Sequence, residues 1–279
     1  MLFALFVAVF FLLWGFLTLA LPPLWRSLAT VSNRAAATSM RYGIVRRAVH
    51  AAGPFRDYLP VIILVAAGAL IAGMAGDGFL DLAERVRANS PALEHFDRFV
   101  HDWAVARREG QATLFFDVMS TIGGPAGLAV LGVLVAAMLL WKRRFWWIAY
   151  LAVTSGGAAL LVGELKRFFA RSRPDVAEML MRANGYSFPS GHAMGSTVVF
   201  GALGYLAFRV LREWWQRAAA ISLAWTVILS VSLSRVYLGV HWISDVTAGV
   251  ACGILWITTA TVAYETMRRI RRIRVGRRM

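Results

Sequence analysis

The chain has 279 residues, a formal charge of +15 and a hydrophobic content of 59%, with only 16% charged residues. Its mean hydropathy is +0.61, and uncharged runs recur near the ~20 residues a helix needs to cross a bilayer core, which excludes an ordinary soluble domain. The positive charge does not imply a nucleic-acid partner, because nearly all the excess arginine lies in short segments between or after apolar runs, the pattern of a membrane protein beside anionic lipid.

In chain order, the opening run MLFALFVAVFFLLWGFLTLALPPLW has no basic residue ahead of it and no small-x-small cleavage site, so it reads as a retained anchor. Candidate spans fall at 2–21, 60–76, 117–140, 145–163, 193–210, 218–234 and 240–263. No polar linker is long enough to isolate a second core. The expected fold is therefore all-α: a polytopic membrane helical bundle. It divides into an N-terminal anchor and basic surface segment (1–57), a membrane domain (58–264) and a basic tail (265–279). Segment 24–57 carries six arginines against one aspartate and reads as amphipathic helix on the cytoplasmic surface.

When seven spans alternate, that segment, WKRR at 141–144, RVLREWWQR at 209–217 and the tail with its seven arginines share one face. The positive-inside rule makes that face cytoplasmic, with the chain starting outside and anionic lipid expected against the tail. The opposite loop, 77–116, carries seven acids and five arginines, and PALEHFDRFVHDW places Leu93, Phe96 and Val100 at helical spacing. Neither this loop nor segment 24–57 points to a chemistry. Cys252 is alone inside an apolar run, so no intrachain disulfide or cysteine metal site is expected.

Three polar clusters reach the outer face. In KRFFARSRP, Lys166 and Arg173 are seven apart and share a helix face if the helix persists, with Pro174 helping to end it. Positive charge there runs against the arginine bias. In FPSGHAMGS, Ser190 is a good N-cap and Gly191 admits a ligand close to backbone N–H groups, a turn suited to a phosphate oxygen. His192 follows in the first turn, placed to donate a proton to a leaving group. In SRVYLGVHWISDV, His241 and Asp245 stand four apart on one helix face. A carboxylate on one ring nitrogen fixes the tautomer and leaves the other nitrogen to attack. Asp245 also lies in an otherwise apolar helix, where an ionisable group is a functional suspect. Arg235 adds a third cation, with a fork suited to phosphoryl oxygens. A zinc site at His192, His241 and Asp245 is opposed by the three cations. An anion channel would spread its charges along a path. Serine hydrolysis at Ser190 lacks an elbow motif.

Together KRFFARSRP, PSGH and SRVYLGVHWISD resemble the three-part signature of the type 2 phosphatidic acid phosphatase (PAP2) superfamily, in order and in internal spacing. The resemblance covers roughly residues 60 to 263 and implies a six-span phosphatase core, with the first span as an addition. It implies that His241 is the nucleophile, Asp245 its orienting carboxylate and His192 the general acid. Lys166, Arg173, Ser190, Gly191 and Arg235 would form the phosphate cradle, with no metal and no cofactor. The implied substrate is a membrane lipid phosphate or diphosphate, met at the outer face of a bacterial inner membrane. A lipid-linked phosphotransferase and a lipid A phosphatase remain open beside a hydrolase of undecaprenyl diphosphate, phosphatidylglycerol phosphate or phosphatidic acid. The related haloperoxidases are soluble, which the apolar spans argue against. Oligomeric state is not legible.

Overall fold

Residues 2–20, 22–23 and 58–276 are described in the computed structural model; the basic surface segment expected over 24–57 lies outside them. The described residues form helices and no strand. These are α1 (Leu2–Gly15, continued by a π-helical turn to Ala20), α2 (Leu59–Arg87), α3 (Pro91–Val105), α4 (Gly110–Ile122), α5 (Pro125–Trp141), α6 (Phe145–Phe169), α7 (Gly191–Val210), α8 (Trp214–Tyr237) and α9 (Ile243–Gly276). Five of them (α2, α6, α7, α8 and α9) are long and apolar enough to cross a membrane. The pair α4–α5, bent by 54°, gives a sixth when counted as one broken span.

This six-span bundle is the core the sequence implies. The N-terminal addition is α1 with its π-helical turn, residues 2–20, uncharged throughout. Its end is stapled to the start of α8 by Trp14 Nε1 donating to Trp215 O at 3.1 Å and Trp214 Nε1 donating to Leu17 O at 2.9 Å.

α7 and α8 sit centrally: half of the most apolar stretch of each is buried, against 11% for α2. α9 lies between α7 and α2, α8 rests on α4, and α6 closes the far side of α7. Lipid tails are as apolar as leucine, so helices in a bilayer associate through close packing of small residues. The α7–α9 contact shows this directly. A Cβ on Gly249 would lie 2.6 Å from the Ser190 carbonyl oxygen, so only glycine permits the approach. The same approach lets the Ser190 N–H donate to the Asp245 carbonyl at 2.9 Å.

Two helices run further than their apolar centres. α2 continues through Asp81 and Arg85, an ion pair at 2.9 Å. α9 runs through the residues assigned to a tail, where Glu265 pairs with Arg209 and, at 2.7 Å, with Arg268. Arg271 lies over Trp146 at 4.8 Å, and Arg269 donates to Pro60 O at 3.2 Å. The basic junctions at 141–144 and 209–217 and the end of α9 therefore meet at one end of the bundle. The three polar clusters lie at the other. Between the clusters α3 packs across the adjoining ends of α8 and α9. Its buried face is Asp97, His101 and Ala104; of the apolar triad read from the sequence, Leu93 and Val100 pack against the core while Phe96 is 53% exposed.

Candidate active site

The three clusters arrive by three different local devices. α6 ends at Phe169, with Ala170 in the left-handed region (φ 46°), well before Pro174. Lys166 and Arg173 therefore do not share a helix face. They converge on the strap 184–187 instead. Lys166 Nζ donates to Tyr186 O at 2.5 Å, and Arg173 donates to Gly185 O at 2.9 Å, Asn184 O at 3.1 Å and Tyr186 O at 3.3 Å.

The second cluster forms the start of α7. Ser190 is the N-cap, fully buried, its Oγ accepting from Ala193 N at 3.5 Å, and His192 falls in the first turn. In the third, Arg235 ends α8, and the chain reverses at Gly239, whose φ of +75° suits glycine. His241 precedes α9 rather than riding on it. Asp245 is in the first turn of α9, where its Oδ2 accepts from Trp242 N at 3.0 Å and from His241 Nδ1 at 3.3 Å. The carboxylate thus caps α9 and holds the imidazole together, so its burial deep in an apolar helix, expected from the sequence, is instead burial at a helix N-terminus.

Nε2 of His241 faces Arg173 Nη1 at 3.1 Å. A guanidinium only donates, so Nε2 accepts and the ring proton resides on Nδ1, toward Asp245. Burial pushes the His241 imidazole down to about 4; Asp245 opposes this, and Arg173 and Lys166 add to it. The ring is thus neutral, with its lone pair on Nε2. Burial also lowers the Arg173 guanidinium from its ordinary value, opposed by Asp245.

A cavity of about 860 Å³ joins these groups. Lys166, Arg173, Gly191, His192, Arg235 and His241 line one part, and the apolar faces of α5, α6 and α7 line the rest, among them Leu128, Ala136, Ala159 and Val162. Six of the eight residues singled out from the sequence therefore share one cavity wall. Ser190 and Asp245 stand behind it, fully buried. Arg235, 3% exposed, donates to Ser120 Oγ and approaches Met181 S at 3.1 Å, while its Nε has no partner. A buried unsatisfied donor costs about 1–3 kcal/mol, more when charged. An anion in the cavity is the natural remedy. Among the described residues no group of three His, Cys, Asp or Glu is placed to hold a metal ion.

Two residues escaped the sequence reading. Arg171, inside KRFFARSRP, donates from Nη1 to Asp245 Oδ1 at 2.7 Å and from Nη2 to Asp97 Oδ2 at 2.7 Å. Asp97, on α3, is 1% exposed and accepts from Ser244 N at 3.0 Å and Ser244 Oγ at 2.6 Å. Arg171 was within sight, as one of four cations in the first cluster. For Asp97 the one available signal was a carboxylate on what proves to be the inward face of an amphipathic helix.

Comparison with known proteins fits this geometry. The family model of the PAP2 superfamily matches residues 145–269. Phosphatidylglycerophosphatase B of Bacillus subtilis is 29% identical over 194 residues, 69% of this chain and 94% of the relative. Decaprenylphosphoryl-5-phosphoribose phosphatase of Mycobacterium tuberculosis is 34% identical over 131 residues, 46% of this chain and 66% of the relative. The crystal structure of a transmembrane PAP2-type phosphatidylglycerolphosphate phosphatase from Bacillus subtilis superposes with a TM-score of 0.63 at 27% identity, covering 68% of this chain and 94% of that one. The fold and the site define a multi-pass membrane phosphatase. The chain belongs to the PAP2 superfamily and is a hydrolase of that class.

Proposed function

We propose that this protein hydrolyses a lipid phosphate or diphosphate, of the undecaprenyl diphosphate, phosphatidylglycerol phosphate or phosphatidic acid class. The reaction runs through a phosphohistidine on His241, at the periplasmic face of a bacterial inner membrane. The observation that carries this reading is the cavity, in which cationic donors at one part meet apolar walls from three membrane helices. A phosphate with an attached hydrocarbon chain satisfies both. Both relatives compared above are named for phosphatase action on a lipid-linked phosphate.

The chemistry follows from the resting hydrogen bonds. Arg173 donates to Nε2 of His241, and an incoming phosphoryl oxygen is the stronger acceptor. As the guanidinium turns to the phosphate, the lone pair is freed to attack phosphorus in line. The P–O bond to the leaving group breaks, its electron pair departs on oxygen, and that oxygen takes a proton from His192. Water then gives a proton to His192 and attacks the phosphohistidine. The P–N bond breaks, its electron pair returns to Nε2, and inorganic phosphate leaves. Lys166, Arg173, Arg235 and the amides at the start of α7 stabilise the charge on the equatorial oxygens, so no divalent ion is required.

The test is phosphate release by purified protein in detergent, with EDTA, from undecaprenyl diphosphate, phosphatidylglycerol phosphate, phosphatidic acid and lipid A, beside His241→Ala. Release that survives EDTA and disappears in the variant is expected. Folded wild-type protein that frees phosphate from none of the four would overturn the proposal.

A further inference from the structure

The cradle and the two histidines leave a buried ion cluster behind the site unassigned. Asp97, Arg171 and Ser244 do not line the cavity, so none of them reaches a bound phosphate. They are nonetheless tightly joined to the group that does orient His241. Arg171 spans two buried carboxylates at 2.7 Å each, one fork arm on Asp245 and the other on Asp97. Its Nη1 also donates to Ser244 Oγ at 2.8 Å. Three chain segments meet here: α3, the stretch after α6 and the first turn of α9.

We propose that Asp97 and Arg171 form a positioning clamp that fixes the orientation and the effective charge of Asp245, and through it the reactivity of His241. The inference rests on the phosphohistidine reading above. The electrostatic logic is a count of charges. Asp245 paired with Arg171 alone is a neutral couple, and little negative field is left for the imidazole on its other oxygen. Asp97 takes the second arm of the guanidinium, so two carboxylates share one cation and a net charge of about −1 remains beside His241. That charge stabilises the ring as it becomes cationic on forming the P–N bond. Geometry adds to the effect: with Oδ1 held by Arg171 and Oδ2 by Trp242 N and His241 Nδ1, the Asp245 carboxylate has no freedom to rotate. A lysine in place of Arg171 cannot serve two carboxylates in a planar fork.

The experiment is Asp97→Asn in the full chain, purified in detergent and assayed on the lipid the wild-type enzyme prefers. The substitution keeps shape and removes charge. Turnover is expected to fall about ten- to a hundredfold, with KM within about twofold. The scale is the loss that removing the outer hydrogen-bond partner of a metal-ligating side chain produces, carried over to an outer partner of His241. His241 faces Asp245, with Arg173 and Lys166 across the ring and His192 and Arg235 further along the cavity wall. Losing a negative charge behind Asp245 disfavours the imidazolium, so the acid limb of kcat/KM moves to lower pH. A merely structural residue would lower the rate without moving the limb.

An arm independent of turnover is the proton resonance of His241 Nδ1–H, identified by its loss in His241→Ala, which shifts upfield in Asp97→Asn. Ser244→Ala, which removes the shared hydroxyl and keeps both charges, gives a smaller fall in turnover at unchanged KM and stands in should Asp97→Asn misfold. Unchanged turnover, or a lower rate with an unmoved acid limb and resonance, overturns the clamp. A wild-type enzyme that releases no phosphate counts against the phosphatase reading alone, and the resonance still decides the clamp.

Discussion

In the proposed mechanism His241 is subject to opposed demands. A nucleophile must be neutral when substrate arrives, and the phosphohistidine that follows carries positive charge on the ring. Burial with Arg173 and Lys166 nearby meets the first demand and Asp245 meets the second. With the ring pushed down to about 4, protonation removes the nucleophile only as pH falls through that value, so the rate is retained through pH 5–6. An ordinary imidazole would begin to lose it near its usual ~6.5. We expect a pH profile of kcat/KM with an acid limb near 4 to 5; a limb at the ordinary imidazole value would mean that the buried environment does not set the ring. At this scale the sequence was legible wherever chemistry repeats in local spacing: His192, Arg235, His241 and Asp245 are recognisable by type and interval. Asp97 was not, because it precedes its partner Arg171 by 74 residues. In the chain it looks like any acid of a solvated helix, and only folding shows that it is buried.

Hydropathy locates the apolar centre of a helix, and here it located six centres correctly. It says less about ends. α2 runs to Arg87 and α9 to Gly276 because charged residues beyond the bilayer pair with one another along the helix, as Asp81 does with Arg85 and Glu265 with Arg268. The break between α4 and α5 falls at Gly123–Gly124–Pro125, and a single apolar run conceals it. What aligns the second and third clusters is a contact that no pattern within one helix reveals. Gly249 of α9 and the Ser190 carbonyl at the head of α7 leave no room for a methyl group. Gly249→Ala is therefore expected to destabilise the fold by about 1–3 kcal/mol, as forced overpacking does, and to loosen the bond from Ser190 N to the Asp245 carbonyl. Gly163→Ala, where nothing lies within 4 Å of the new carbon, is the control. It should hold or raise the melting temperature, since alanine favours a helix over glycine. Thermal unfolding in detergent measures both; equal behaviour of the two variants would show that the α7–α9 approach is not tight.

Among the described residues, the bundle is polarised from one end to the other. Arginines of the 141–144 and 209–217 junctions and of α9 gather at one end, and the cradle with its histidines occupies the other. The cavity begins at that cradle and continues along α5, α6 and α7, whose lining residues are small or aliphatic. A soluble phosphate needs only the cradle, whereas a lipid phosphate also needs space for its chain. Ala136 and Ala159 stand on two different walls of the apolar part, away from the charged groups. Replacing either with phenylalanine fills that part and leaves the cradle untouched. If the chain of the substrate lies there, kcat/KM on the preferred long-chain lipid falls about tenfold or more, the cost of misfit in an apolar pocket. Hydrolysis of a short, water-soluble phosphate monoester stays near the wild-type rate, because its contacts end at the cations. A parallel loss on both substrates would place the damage in the fold of the bundle. No loss on either would mean that the lipid chain leaves the site by another route.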